Sequence, residues 1–147
     1  MIKIMDIDYD EIKIIRDLWE KNRLYHQNIS EHFKEVYGLI SFDERMKDFS
    51  ASNKNTIKIT VAKNNDQYIG YCISTTVDGA GQLQSIHVCE SNRGNGIGRQ
   101  LASEHIEWMR EMGCKEIGVN VSQENASAIA FYKDLGFYPN TLYMQKK

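Results

Sequence analysis

Between Ser91 and Leu101 the chain reads Ser-Asn-Arg-Gly-Asn-Gly-Ile-Gly-Arg-Gln-Leu, with glycines at alternate positions (Gly94, Gly96 and Gly98) and Asn95 and Ile97 between them. Glycine reaches positive φ without strain and leaves no side chain between its amide and a ligand. The apolar period that starts at Ile97 predicts a helix whose first N–H groups lack intrahelical partners, so the positive end of its dipole faces the loop. Arg93 and Arg99 add two guanidinium forks shaped for phosphate oxygens. Convergent amides, a helix start and two fixed cations suit a diphosphate. The bland alternatives are a ligand-free glycine turn and two arginines on a solvated face.

A second group lies further on. Asn125 and Tyr132 stand seven positions apart, two helical turns, so both project from one side of a helix that Asn125 caps and Gly136 ends. A phenol can give a proton or hydrogen bond to a leaving anion. Its alternative is a core aromatic whose hydroxyl bonds to backbone.

Two familiar phosphate loops do not fit the glycines. A P-loop needs four residues between its glycines and then Gly-Lys-Ser/Thr. A dinucleotide fingerprint needs Gly-x-Gly-x-x-Gly early in a βαβ unit, whereas here the third glycine comes one residue early and the loop lies past mid-chain.

The elements that position these groups follow from the hydrophobic pattern. Residues 2–5 predict a first strand, and Asp8 with Glu11 predicts a helix start before Ile12, Ile15, Leu18 and Trp19. Shorter helices are expected over residues 30–37 and 43–49, with Gly38 as an interruption. Residues 56–63 and 68–75 form a hairpin around Asn64-Asn65-Asp66, and residues 77–81 turn into a strand over 82–88. In that strand the gap of three between Leu83 and Ile86 breaks the period of two. Either a β-bulge near Gln84-Ser85 restores both to one face, or the edge is merely irregular.

A helix follows with Ile97, Leu101, Ala102, Ile106, Trp108, Met109 and Met112 as its apolar stripe and Gly113 at its end. Then come a strand over 116–121, the Asn125 helix and a closing strand over 141–144. Strand, helix and strand around the glycine loop should be a parallel βαβ unit with the loop at a strand's carboxyl end. The class is α+β with a mixed sheet.

A chain of 147 residues with 41% hydrophobic content is expected to form one domain spanning 1–147. A formal net charge of −2 and a pI near 6.1 argue against a nucleic-acid or membrane-surface partner. Cys72, Cys89 and Cys114 are odd in number and widely spaced, which suggests neither a disulfide framework nor a zinc site and makes a reducing cytoplasm the default. No apolar run approaches a membrane span or a signal segment.

The run Arg-x-x-Gly-x-Gly at Arg93, Gly96 and Gly98, followed by Leu101, resembles the acetyl-CoA pyrophosphate loop of the GNAT superfamily of N-acetyltransferases. The run Asn-x-x-Ala-x-x-Phe-Tyr-x-x-x-Gly-Phe from Asn125 is similar to the second cofactor motif of that superfamily, in the right order. The resemblance is close over residues 83–137. It implies a GNAT-like fold: a mixed, mostly antiparallel central sheet with a parallel βαβ cofactor-binding unit and flanking helices.

It further implies acetyl-CoA as co-substrate, without a metal. The amides from Arg93 through Arg99 would take the pyrophosphate. The backbone of Ile86, His87 and Val88 would take the pantetheine arm between two splayed strands, with Asn125 on the same arm. Tyr132 would serve as general acid to the departing thiolate, and the Val88 N–H would hold the oxyanion. Many members of the superfamily carry an acidic base where this chain has Gln84, which cannot be a base but can hold a water or the acceptor. His87, Glu90, His26, Glu31 and His32 are the candidates that remain, His87 more readily read as a structural histidine.

The expected activity is acetyl transfer from acetyl-CoA to a primary amine of a small molecule, by direct attack in a ternary complex. The alternatives are a protein N-terminus or lysine as acceptor, or a non-catalytic acyl-CoA sensor. A homodimer through exposed sheet edges is compatible with the resemblance.

Overall fold

Two tight turns, Asn65-Asp66 and Asp78-Gly79, organise the first half of the sheet. Asn65 adopts φ 55° between strands β2 (Ile57–Asn64) and β3 (Gln67–Val77). Asp78 and Gly79 adopt φ 48° and 81° between β3 and β4 (Ala80–Val88). Two successive positive φ values match the right-handed twist of a tight hairpin, so Ala80 and Gly81 join the strand instead of extending the turn. The computed structural model describes residues 1–50 and 56–147.

Strand β1 (Ile2–Asp6) and β5 (Glu116–Val119) complete a five-stranded sheet of order β1-β2-β3-β4-β5. All neighbours are antiparallel except β4 and β5. Helix α4 (Ile97–Glu111) connects that parallel pair. The remaining helices are α1 (Arg16–Ile29), α2 (Lys34–Leu39), α3 (Phe42–Lys47) and α5 (Ala126–Asp134).

Each face of the sheet carries its own core. On one, Ile15, Leu18 and Trp19 pack with Phe42 and Met46 against Ile59, Val61, Tyr71 and Ile73. On the other, Leu101, Ala102 and Tyr132 pack against Ala62, Cys72 and Leu83. Alternate residues of β2 and β3 serve opposite cores, as a pleated strand requires.

Several expectations are corrected. Asp8 and Glu11 start a 3-10 helix (Tyr9–Ile15), and the α-helix begins only at Arg16; Asp8 makes no side-chain cap. Gly38 lies inside α2 instead of interrupting it. Of the apolar stripe assigned to α4, Met112 is exposed and Trp108 half-buried, while His105 is fully buried in their place. The strand expected over 141–144 does not form, and Leu142, Tyr143 and Met144 are exposed. Among the described residues no helix is long and apolar enough to cross a membrane.

Candidate active site

The broken alternation in β4 is a β-bulge. Ile73 pairs with Ser85 but Ser74 pairs with Leu83, leaving Gln84 as the extra residue. Leu83 and Ile86 consequently serve the same core. The bulge also marks where β4 leaves β5, because the parallel ladder ends at Leu83 and Val119. Beyond it, Ile86, His87 and Val88 carry a backbone edge that β5 does not pair. A bulge increases local twist and bends its strand, which accounts for the parting.

A cavity of about 530 Å³ occupies the gap. Its walls are Leu83–Val88 of β4, Val119 at the end of β5 with Asn120 and Val121 after it, the loop into α4, the start and middle of α5, and Asn22, Tyr25 and His26 of α1. Of the residues singled out in the sequence, Gln84, Ile86, His87, Val88, Arg93, Gly94, Gly96, Ile97, Gly98, Arg99, Asn125 and Tyr132 all line it. Asn95 is exposed and lies outside the lining.

The glycines divide the work. Gly94 and Gly96 take φ 86° and 79°, and Gly96 is the N-cap of α4. Gly98, in the first turn of the helix, does not use positive φ; it packs near Val88 and Phe131. Arg93 folds back so that its Nε donates to the Val88 carbonyl at 2.8 Å, which pins its guanidinium at the mouth.

Asn125 is 7% exposed, and its Oδ1 accepts from the Ala128 amide at 3.1 Å, capping α5. The cap sets the helix phase that brings Tyr132 to the cavity. Tyr132 is buried between Phe131 and Phe137, in edge-to-face contact with both. Burial pushes its phenol up from the ordinary tyrosine range, so the hydroxyl keeps its proton at neutral pH.

Gln84 is held at both ends. Its Oε1 accepts from Arg45 Nη2 at 3.2 Å and its Nε2 donates to Thr75 Oγ1 at 2.9 Å. His87 lies across from Tyr71, on the face opposite Ile86, and lines the cavity from the α1 side. Its burial, with Arg93, Lys21 and His26 nearby, presses its pKa down to about 4, so it is neutral and a weak base at pH 7.

His26 lines the cavity as well. Its Nδ1 donates to the Asn22 carbonyl at 2.8 Å, since a carbonyl only accepts, and Nε2 takes no part in that bond. Glu90, Glu31 and His32 do not line the cavity, and Glu31 Oε1 lies 3.7 Å from His32 Nε2 on the surface. Asn22 and Asn120 also line the cavity, and Arg45 reaches it through Gln84. Nothing in their local spacing sets them apart from other polar surface residues.

The profile of the Acetyltransferase (GNAT) family matches residues 16–137. The chain belongs to that family. Among GNAT relatives, it is 22% identical over 129 residues to the aminoglycoside N(6')-acetyltransferase type 1 of Acinetobacter haemolyticus, a match covering 86% of this chain and 87% of the relative. It is 35% identical over 65 residues to the uncharacterized N-acetyltransferase YobR of Bacillus subtilis, covering 44% of this chain and only 26% of that protein's length. In three dimensions it superposes on the PaiA N-acetyltransferase of Thermoplasma acidophilum, solved in complex with coenzyme A, with a TM-score of 0.75 and 20% identity over 94% of this chain and 90% of the other. The mixed five-stranded sheet with flanking helices is thus the GNAT fold.

Proposed function

We propose that this GNAT domain transfers an acetyl group from acetyl-CoA to a primary amine of a small molecule, by direct attack in one ternary complex. The observation that carries the reading is the parting of β4 and β5 at the Gln84 bulge, with the capped glycine turn at one end of the gap and the Tyr132 phenol within it. The residues fit the co-substrate. The unpaired edge of Ile86, His87 and Val88 offers amide and carbonyl groups to a pantetheine arm, and the turn from Gly94 to Arg99 offers amides to a diphosphate. Asn95 shares in that turn through its backbone. The relative named as an aminoglycoside N(6')-acetyltransferase and the CoA-bound neighbour support the same assignment.

Each protein group has one task. Arg93 and Arg99 neutralise the diphosphate. The Asn125 Nδ2 is left to meet the arm, because Oδ1 is spent on the cap. The Val88 N–H serves the developing oxyanion, and Tyr132 gives the departing thiolate its proton. An alkyl ammonium must first lose a proton, and Gln84 cannot take it. His26, whose Nε2 takes no part in the bond to Asn22, is the base; Gln84 positions the amine or its water.

The test is a thiol-release assay with acetyl-CoA and a panel of small amines, run beside calorimetry with CoA. Release that depends on both acetyl-CoA and an amine supports the reading. Tight CoA binding with no release from any small amine, lysine peptide or protein N-terminus would make the domain a sensor.

A further inference from the structure

A second cavity, of about 130 Å³, adjoins the first and shares Asn22 and His26 with it. Its remaining walls are Trp19, Arg23, Tyr37, Ile40 and Arg45. The volume equals about four water molecules' share of the liquid, enough for a small polar head. Arg45 joins the two spaces, because the Gln84 amide that it contacts lines the larger one.

The charge of this region is one-sided. No Asp or Glu lines either cavity among the described residues, and the undescribed residues 51–55, Ala-Ser-Asn-Lys-Asn, contain none. The carboxylates that pair with the two arginines are Glu20 and Asp48, which stand outside the lining. Their side chains are 42% and 65% exposed against 19% and 30% for Arg23 and Arg45, so solvent screens the acids more than the guanidinium groups. The groups that act on His87 at the same wall, Arg93 and Lys21 with His26, include no carboxylate.

Resting on the acetyltransferase reading above, we infer that the amine accepted here also carries a carboxylate, seated in the Arg23–Arg45 cavity a few bonds from the reacting nitrogen, as in an amino acid. A guanidinium pair in a half-buried wall gives a carboxylate charge-assisted hydrogen bonds. Each arginine has N–H groups beyond those used on Glu20, Gln27, Tyr37, Asp48 and Gln84. A polyamine or aminoglycoside would bring several positive charges to the same wall with no acid in the lining to receive them. The 3.2 Å contact between Arg45 and Gln84 sets the spacing: an anion on Arg45 leaves its amine beside Gln84, at the parted strands. Trp19, Tyr37 and Ile40 supply the apolar side of the cavity.

The experiment compares the common amino acids with their own carboxamides, and with spermine and an aminoglycoside, in the thiol-release assay. In parallel, the CoA-saturated protein is titrated with the same probes by calorimetry. The expected result is a kcat/KM for the best amino acid about 10- to 100-fold above that of its carboxamide. The gap should shrink in Arg45→Gln and Arg23→Gln, chiefly through KM, and partly return in Arg45→Lys. Carboxamides, spermine or the aminoglycoside turning over as well as the amino acids would overturn the inference while leaving acetyl transfer intact. No release from any amine would overturn the acetyltransferase reading, and the titration then decides separately whether the site selects carboxylates; equal heats for acid and amide would sink the inference there too.

Discussion

His105 Nε2 and Thr60 Oγ1 stand 2.8 Å apart in the middle of the sheet-facing side of α4. Thr60 already donates its hydroxyl to Asp6 Oδ1 at 2.6 Å, so it accepts from the imidazole, and the network assigns the proton to Nε2. The other ring nitrogen, Nδ1, then accepts from the Ser74 hydroxyl at 2.7 Å. One fully buried side chain thus ties α4 to β2, β3 and, through Thr60, β1.

That tie should make folding pH-dependent. Burial and the neighbouring Lys58 press the His105 pKa down to about 3, against opposition from Asp6, while the unfolded side chain titrates near its ordinary value of 6.5. A depressed histidine contributes stability that is complete above about pH 6.5 and drains as pH falls toward 3, at roughly 1.4 kcal/mol per unit. Denaturant titrations between pH 4.5 and 7.5 check this. His105→Leu should reduce the slope, leaving the part that His87 contributes through its own pKa of about 4, and cost about 2–4 kcal/mol at pH 7, because Ser74 is left buried without a partner. An unchanged slope in the variant would remove His105 as its source.

Tyr132→Phe removes one hydroxyl and leaves the ring stack with Phe131 and Phe137 in place. If the phenol protonates the thiolate, kcat falls by about 10²- to 10⁴-fold while the Kd for CoA stays within about threefold. Because burial raises the tyrosine's pKa, the wild-type rate should show no alkaline loss between pH 7 and 9. Steady-state kinetics and calorimetry separate the two effects, and equal losses in both would reduce the tyrosine to packing.

Arg93→Gln and Arg99→Gln should weaken CoA by roughly 3- to 30-fold each, with a loss that fades at high salt. Arg93 is expected to matter more, since its bond to the Val88 carbonyl holds the guanidinium in place before any ligand arrives. Pantetheine, which has no diphosphate, is the control and should bind all three proteins alike. A matching loss for pantetheine would mean that the arginines shape the cavity and do not meet phosphate.

Gly81 is a packing glycine. A Cβ built there would lie 2.5 Å from Met109 Sδ and 3.1 Å from Met109 Cβ, and Met109 is fully buried. Gly81→Ala should therefore destabilise the fold by about 1–3 kcal/mol. Combined with Met109→Ala, the double variant should lose less than the sum of the singles, as a shared steric contact requires. Strict additivity in thermal melts would contradict the contact.

What the sequence by itself determined is the part of the site encoded between near neighbours. Alternate glycines before an apolar helix, an asparagine cap with a tyrosine two turns later, and a gap of three in an alternating strand each follow from local backbone geometry. All three stand where the chain order puts them. Local pattern also misleads: Asp8 and Glu11 look like a helix start but open a 3-10 segment, and the alternation near Leu142 finds no strand to pair with. Only the tertiary structure decided which distant groups meet. Arg45 reaches Gln84 across 39 positions, and His105 reaches Ser74 and Thr60 across 31 and 45. Such contacts depend on how α1, α3 and α4 seat on the two faces of the sheet, a property of packed surfaces that no residue's sequence neighbours specify. The same packing, not the nearly neutral charge of the whole chain, leaves both cavities without a carboxylate among the described residues.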